Sequence, residues 1–155
     1  HHVSYSPSLI SINVRGTDAT AENIQASKEF GINIAADDQN VLCSVAGRYR
    51  GKEVDKISLL KEAGVAIFYN ASRINVPMIQ NVAMNAECQL LKQEELGDHI
   101  MFVGEVVEIS ANDNIRPLIY HNGKYCRIGE EISKPSADIL ARIEELAQKH
   151  SRIKQ

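Results

Sequence analysis

Gly97-Asp98-His99-Ile100-Met101-Phe102-Val103-Gly104-Glu105-Val106 is the stretch on which the reading of this chain turns. The Gly-Asp pair predicts a turn, and the run after it alternates. His99, Met101, Val103 and Glu105 share one face of an extended strand; Ile100, Phe102, Gly104 and Val106 share the other. An imidazole therefore stands at the mouth of a strand, beside a loop, within reach of a ligand. On its own, a histidine so placed is more often an ordinary solvated residue.

The same period of two recurs along the chain. Ile10, Ile12 and Val14 alternate with Ser11 and Asn13, which predicts a strand over 9–14 with one apolar side. Thr17, Asp18 and Thr20 compete to cap a helix expected from about Ala21 to Glu29, with Ile24 on its buried side and Gly31 at its end. Phe30, Ile32 and Ile34 predict a second strand, stopped by Asp37-Asp38. Residues 39–61 mix helical turns with the basic loop Gly47 to Lys56, and Val65 to Tyr69 predicts a further strand. The run Val82-Met84-Ala86-Cys88-Leu90 pairs with His99 to Ile109 across an acidic loop, Gln93 to Asp98. Asn122-Gly123 predicts a hairpin turn between Leu118–Tyr120 and Tyr125–Ile128. After Pro135, Ile139, Ile143, Leu146 and Ala147 form the apolar stripe of a C-terminal helix over 136–152, the kind of stripe used in core or subunit packing. Many strands with few helices predict a mainly β, Greek-key barrel in one domain, 1–155, with its body over 1–129.

Composition narrows the function. A net charge of −3 gives no basic face for nucleic acid, and no apolar run approaches a membrane span. Cys43, Cys88 and Cys126 cannot all pair and read as reduced thiols, so a cytoplasmic protein is expected. The chain has no G-x-G-x-x-G after a strand, no phosphate loop of the G-x-x-x-x-G-K type, no G-x-S-x-G elbow and no zinc-ligand spacing, so no metal is expected. What remains is a ligand-binding surface.

Arg15-Gly16-Thr17-Asp18-Ala19-Thr20 is the best phosphate candidate, because a helix start offers unpaired N–H groups and positive potential. Arg15 adds a bidentate donor, and Thr17 and Thr20 add hydroxyls. The bland alternative is a plain cap by Thr20 or Asp18, and Asp18 opposes an anion. Arg48, Arg50, Lys52 and Lys56 cluster around Gly47 and Gly51, either as a binding loop or as a solvated one. Asn33, between Ile32 and Ile34, faces away from them and bonds either a ligand or a neighbouring backbone group.

Several of these segments, in order, resemble the flavin reductase-like, FMN-binding split-barrel family. They are Ser4-Tyr5-Ser6-Pro7-Ser8-Leu9-Ile10-Ser11-Ile12-Asn13-Val14, the turn and helix start from Arg15 to Ile24, Glu29-Phe30-Gly31-Ile32-Asn33-Ile34, Gly51-Lys52-Glu53-Val54-Asp55-Lys56-Ile57, Gly97 to Val106, and Pro117-Leu118-Ile119-Tyr120-His121-Asn122-Gly123-Lys124-Tyr125. Ser8 replaces a usual second proline, and Arg50 and Ile57 depart from the family's Ser and Phe. The chain begins where the family's second strand should, so His1-His2 is read as native sequence at a truncated start.

The resemblance implies a six-stranded barrel that binds FMN and is reduced by NADH or NADPH in a homodimer. Its acceptor would be free flavin, a ferric complex or a partner oxygenase. It favours Arg15 and Thr20 as cofactor contacts, brings Lys52 and Lys56 toward the phosphates of the flavin or of the nicotinamide dinucleotide, leaves Thr17, Asn33 and Tyr120 as further cofactor-binding candidates, and puts His99 on the nicotinamide side of the flavin. Tyr120, His121 and Tyr125 are either pocket wall or hairpin structure. The rival readings are a non-enzymatic FMN-binding electron carrier or flavin store, and a degenerate barrel kept as an interaction module.

Overall fold

The computed structural model of the chain describes residues 1–130 and 133–149. Its centre is an antiparallel sheet of five strands in the order β1-β2-β7-β6-β3: β1 His2–Tyr5, β2 Ser8–Arg15, β3 Glu29–Ile34, β6 Met84–Leu96 and β7 His99–Ala111. Two small two-stranded sheets join β4 Phe68–Asn70 to β5 Pro77–Ile79, and β8 Ile119–His121 to β9 Lys124–Cys126. The helices are α1 Ala19–Ser27, α2 Asn40–Arg48, α3 Lys56–Glu62 and α4 Ala137–Lys149. The fold is mainly β. The large sheet has five strands where the resemblance implies six, with β1 and β3 at its open edges.

The alternation of Gly97 to Val106 is realised as read. Ile100 and Phe102 are buried, and Gly104 lies on the same face. A Cβ on Gly104 would stand 2.5 Å from the Phe30 ring, so this strand tolerates no side chain where the ring crosses it. Ala21 and Ile24 of α1 close the cluster over Phe30, Ala86, Cys88, Ile100 and Phe102. Cys88 is wholly enclosed, and burial pushes its thiol up to about 11.

Three sequence expectations are corrected. There is no acidic loop over Gln93 to Asp98: β6 runs on to Leu96, which pairs with His99, leaving a two-residue turn. Gly97 takes φ +62, as the first central residue of a II′-type hairpin requires. Helix α1 begins at Ala19, with Asp18 extended at the N-cap position and making no side-chain cap bond. It ends at Ser27, where Lys28 adopts φ 60 and donates its N–H to the Ile24 carbonyl. Gly31 is therefore no helix stop; it sits within β3, where any Cβ would overlap the Met78 sulfur.

Residues 72–79 cross the molecule as a strap held by side-chain acceptors. The buried Glu87 carboxylate accepts from the Ser72 N–H (3.0 Å), the Arg73 N–H (2.6 Å) and the Ser72 hydroxyl (3.3 Å). Glu29 accepts from the Asn75 N–H at 2.8 Å, and Asn33 Oδ1 from the Ile79 N–H at 2.9 Å. Burial alone would raise the Glu87 pKa, but the bonds from Ser72, Arg73 and Ile74 outweigh it and hold the carboxyl below its ordinary value.

A carboxyl lowered on folding stabilises fully above its unfolded pKa and loses that contribution as pH falls through the folded value. Glu87→Gln is thus expected to cost about 2–4 kcal/mol at pH 7, since one amide oxygen cannot serve all the donors. It should also flatten the loss of stability below about pH 4 relative to the parent, as read from urea midpoints across pH. Equal stability of the two proteins at pH 7 would exclude this role.

Candidate functional site around the start of helix α1

Strand pairing builds the site. In the β2–β7 ladder, Arg15 lies opposite His99, so the last residue of one strand meets the first of the other. The Gly16 N–H donates to the Asp98 carbonyl at 3.0 Å and ties the β6–β7 turn to the chain just ahead of α1. A cleft of about 560 Å³ follows, lined by Arg15, Thr17, Gln25, Asp98 and His99 among others. That volume lies within the usual range for small-molecule sites.

Within it, His99 Nδ1 is 2.8 Å from Asp98 Oδ1. The hydrogen bond from His99, its charge, and the more distant Arg15 all lower the Asp98 carboxyl. An ionised carboxylate only accepts, so Nδ1 carries the proton of this bond and the imidazole is oriented by it.

A second, smaller cleft of about 160 Å³ adjoins the first, and Arg15 and Thr17 line both. Its remaining walls are Asp18 and Ala19 at the start of α1 and Arg50, Gly51, Lys52 and Glu53 of the basic loop. The loop lies close on the helix: a Cβ on Gly51 would be 3.1 Å from that of Ala19. Lys52 Nζ reaches Glu22 at 2.6 Å, and Arg50 stands 4.0 Å from Glu53. Two guanidiniums, a hydroxyl and a lysine on its walls offer donors to a small anion such as a phosphate, opposed by the carboxylates of Asp18 and Glu53.

Of the residues singled out in the sequence, the structure thus brings together Arg15, Thr17, Lys52 and His99. Thr20 faces a different cleft, of about 640 Å³ and largely apolar, with Ile12, Ile24, Phe30 and Val76. Lys56 turns its ammonium to the Ala46 carbonyl at 2.8 Å, and Asp55 caps α3. Asn33 Oδ1 is shared by the Ile79 N–H and the Asn85 amide at 2.7 Å. Tyr120 is exposed on the β8–β9 hairpin and packs on Tyr125, whose hydroxyl accepts from Ser44 at 3.2 Å. Glu22 and Gln25 were not singled out. Their only sequence signal is a place on the first turns of a helix, which says nothing of partners distant in the chain. Among the described residues, no group of three His, Cys, Asp or Glu is placed to hold a metal ion, and no helix is long and apolar enough to cross a membrane.

Comparison with known proteins agrees with this fold. Residues 1–129 match the family model "Flavin reductase like domain", and the chain belongs to that family. It is 26% identical over 123 residues to a flavin reductase of Pseudomonas putida, covering 79% of this chain and 66% of that protein. It is 25% identical over 136 residues to the reductase subunit HsaB of a flavin-dependent monooxygenase from Mycobacterium tuberculosis, covering 86% and 67%. The chain therefore spans about two thirds of these curated relatives. Among solved structures, an FMN-binding protein from Thermus thermophilus with bound p-hydroxybenzaldehyde superposes with a TM-score of 0.73 at 26% identity, over 87% of this chain and 77% of that one.

Because the Asn33 oxygen is committed to the strap, Asn33→Ala is expected to cost about 1–3 kcal/mol of stability by leaving the Ile79 N–H unpaired. Thermal and urea unfolding should show this, with Asn33→Asp retaining more stability than the alanine. A normal unfolding midpoint for Asn33→Ala would free the side chain for a ligand instead.

Proposed function

We propose that this chain is a reductase module that binds FMN at the start of α1 and takes electrons from NADH or NADPH. What supports the reading is the sharing of Arg15 and Thr17 between the small cleft beside the basic loop and the larger His99 cleft. A phosphate in the first and a ring in the second lie within the span of one ligand. FMN, when bound, supplies the hydride-accepting ring and the onward passage of electrons, chemistry that belongs to the cofactor. The chain's own groups bind and orient. Arg15 offers a planar fork to phosphate oxygens, Thr17 a hydroxyl, and Lys52 a mobile point charge. His99, with Nδ1–H given to Asp98, presents Nε2 toward a nicotinamide carboxamide. No protein acid or base is asked to move the hydride.

The same reading makes the protein a cytoplasmic homodimer, with the exposed Ile139, Ile143 and Leu146 of α4 covered by the second copy. The electrons go on to free flavin, a ferric complex or an oxygenase partner. The oxygenase draws support from the HsaB relative, named as a monooxygenase's reductase subunit.

Arg15→Ala is expected to weaken FMN about 10- to 150-fold while leaving riboflavin nearly unchanged, the size of one charge-assisted contact. Flavin fluorescence quenching measures both ligands, and equal weakening of the two would remove the phosphate from this cleft. For His99→Ala, FMN affinity should stay near that of the parent. Anaerobic flavin reduction at saturating NADH or NADPH should slow by up to about 100-fold, as loss of orientation does. An unchanged rate with either donor would take His99 out of the site.

A further inference from the structure

Every cation that the basic loop sends to the small cleft already has a carboxylate. Arg15, Arg50 and Lys52 line it together with Asp18 and Glu53, and Glu22 holds the Lys52 ammonium at 2.6 Å from the flank of α1. Three positive side chains are thus balanced by three negative ones before any ligand arrives. The Lys52–Glu22 pair joins residues thirty positions apart, and among the described ion pairs it is the one linking the loop to α1. It accompanies a close backbone approach, Gly51 against Ala19, so the loop lies seated on the helix where the pair forms. Both partners are about half exposed, which makes the bond weak and exchangeable in water.

We propose that Glu22 is an internal competitor for the anion cleft, a specificity-determining residue that occupies Lys52 until a phosphate displaces it. The inference rests on the phosphate placement proposed above. A lysine on a four-carbon stem can leave one acceptor for another without moving the backbone. A phosphate dianion meeting Arg15, Thr17 and Lys52 at once outbids a single carboxylate, whereas a ligand lacking phosphate gains nothing from the exchange. Glu22 therefore sets how much of the phosphate's attraction is realised as affinity, and hence how far the site prefers a phosphorylated flavin over an unphosphorylated one.

The test is a double-mutant cycle on the full chain, with FMN and riboflavin affinities measured by fluorescence quenching at low salt. Glu22→Gln removes the competing charge and keeps the shape. It is expected to tighten FMN about 2- to 5-fold, the worth of an exposed ion pair, and to leave riboflavin unchanged. In a Lys52→Ala background the same Glu22→Gln change should bring no gain, because the contested cation is gone. Raising the salt should erase the gain in the single variant. An FMN affinity that is unchanged or weaker in Glu22→Gln, while Arg15→Ala still separates FMN from riboflavin, overturns the competitor role alone. A gain that persists in the Lys52→Ala background overturns it as well. If Arg15→Ala weakens both flavins equally, the phosphate placement fails and the competitor role with it.

Discussion

A two-residue turn leaves its flanking strands no choice of register. With Gly97 at φ +62 and Leu96 paired to His99, every later partner in the β6–β7 ladder follows, apart from the local shifts at Glu87/Cys88 and Leu90/Lys92. A slip by one residue would turn Ile100 and Phe102 out of the core and swing His99 to the other face. Strand β7 passes the register to β2, which sets Arg15 opposite His99. Helix α1 starts four residues beyond Arg15, so its first turn and the imidazole share one corner of the molecule. The two adjoining clefts follow from that corner.

Carboxylates serve two separate purposes around this frame. Glu29 and Glu87, on β3 and β6, accept backbone N–H groups and hold the 72–79 strap, whose Met78 packs against Gly31. Asp98 and Glu22, near the clefts, instead meet cationic or ionisable side chains at the surface. Removing Glu87 is costly because it leaves partly buried donors without partners. The second kind contributes little stability but sets local charge. This is how a chain with net charge −3 carries a basic loop without being a basic protein.

The strands were legible because a half-buried strand writes a period of two in its residue types; His99 to Val106 keeps it in burial, whereas Ser11 is buried between half-buried Ile10 and Ile12, and Ile34 at the end of β3 is exposed. The Asn122-Gly123 turn was legible for a similar local reason, both residues having positive φ. Helix α1 was less so. Glycine is the commonest left-handed residue past a helix end, yet here Lys28 takes that conformation, and Gly31 is kept small by Met78, a residue far along the chain. With the helix starting at Ala19, Thr20 lies about 100° further round its axis and faces the apolar cleft rather than the one beside the basic loop. The same distance in sequence hid the partners of Asn33 and of Lys52. Their acceptors and donors lie thirty or more positions away, beyond any local pattern.

The chemistry left to the site follows from what its groups are already doing. The Cys88 thiol is enclosed and raised to about 11, and burial also raises Cys43, so neither provides a ready thiolate near neutral pH. Glu87 spends its charge on backbone donors and faces the strap rather than a cleft. His99 is turned by Asp98 so that one nitrogen is occupied and the other is presented. A guanidinium, a hydroxyl, an ammonium and one oriented imidazole make a surface for binding and aligning, with no activated nucleophile among them. On the function proposed above, such a surface takes its reactivity from a cofactor that brings its own redox centre.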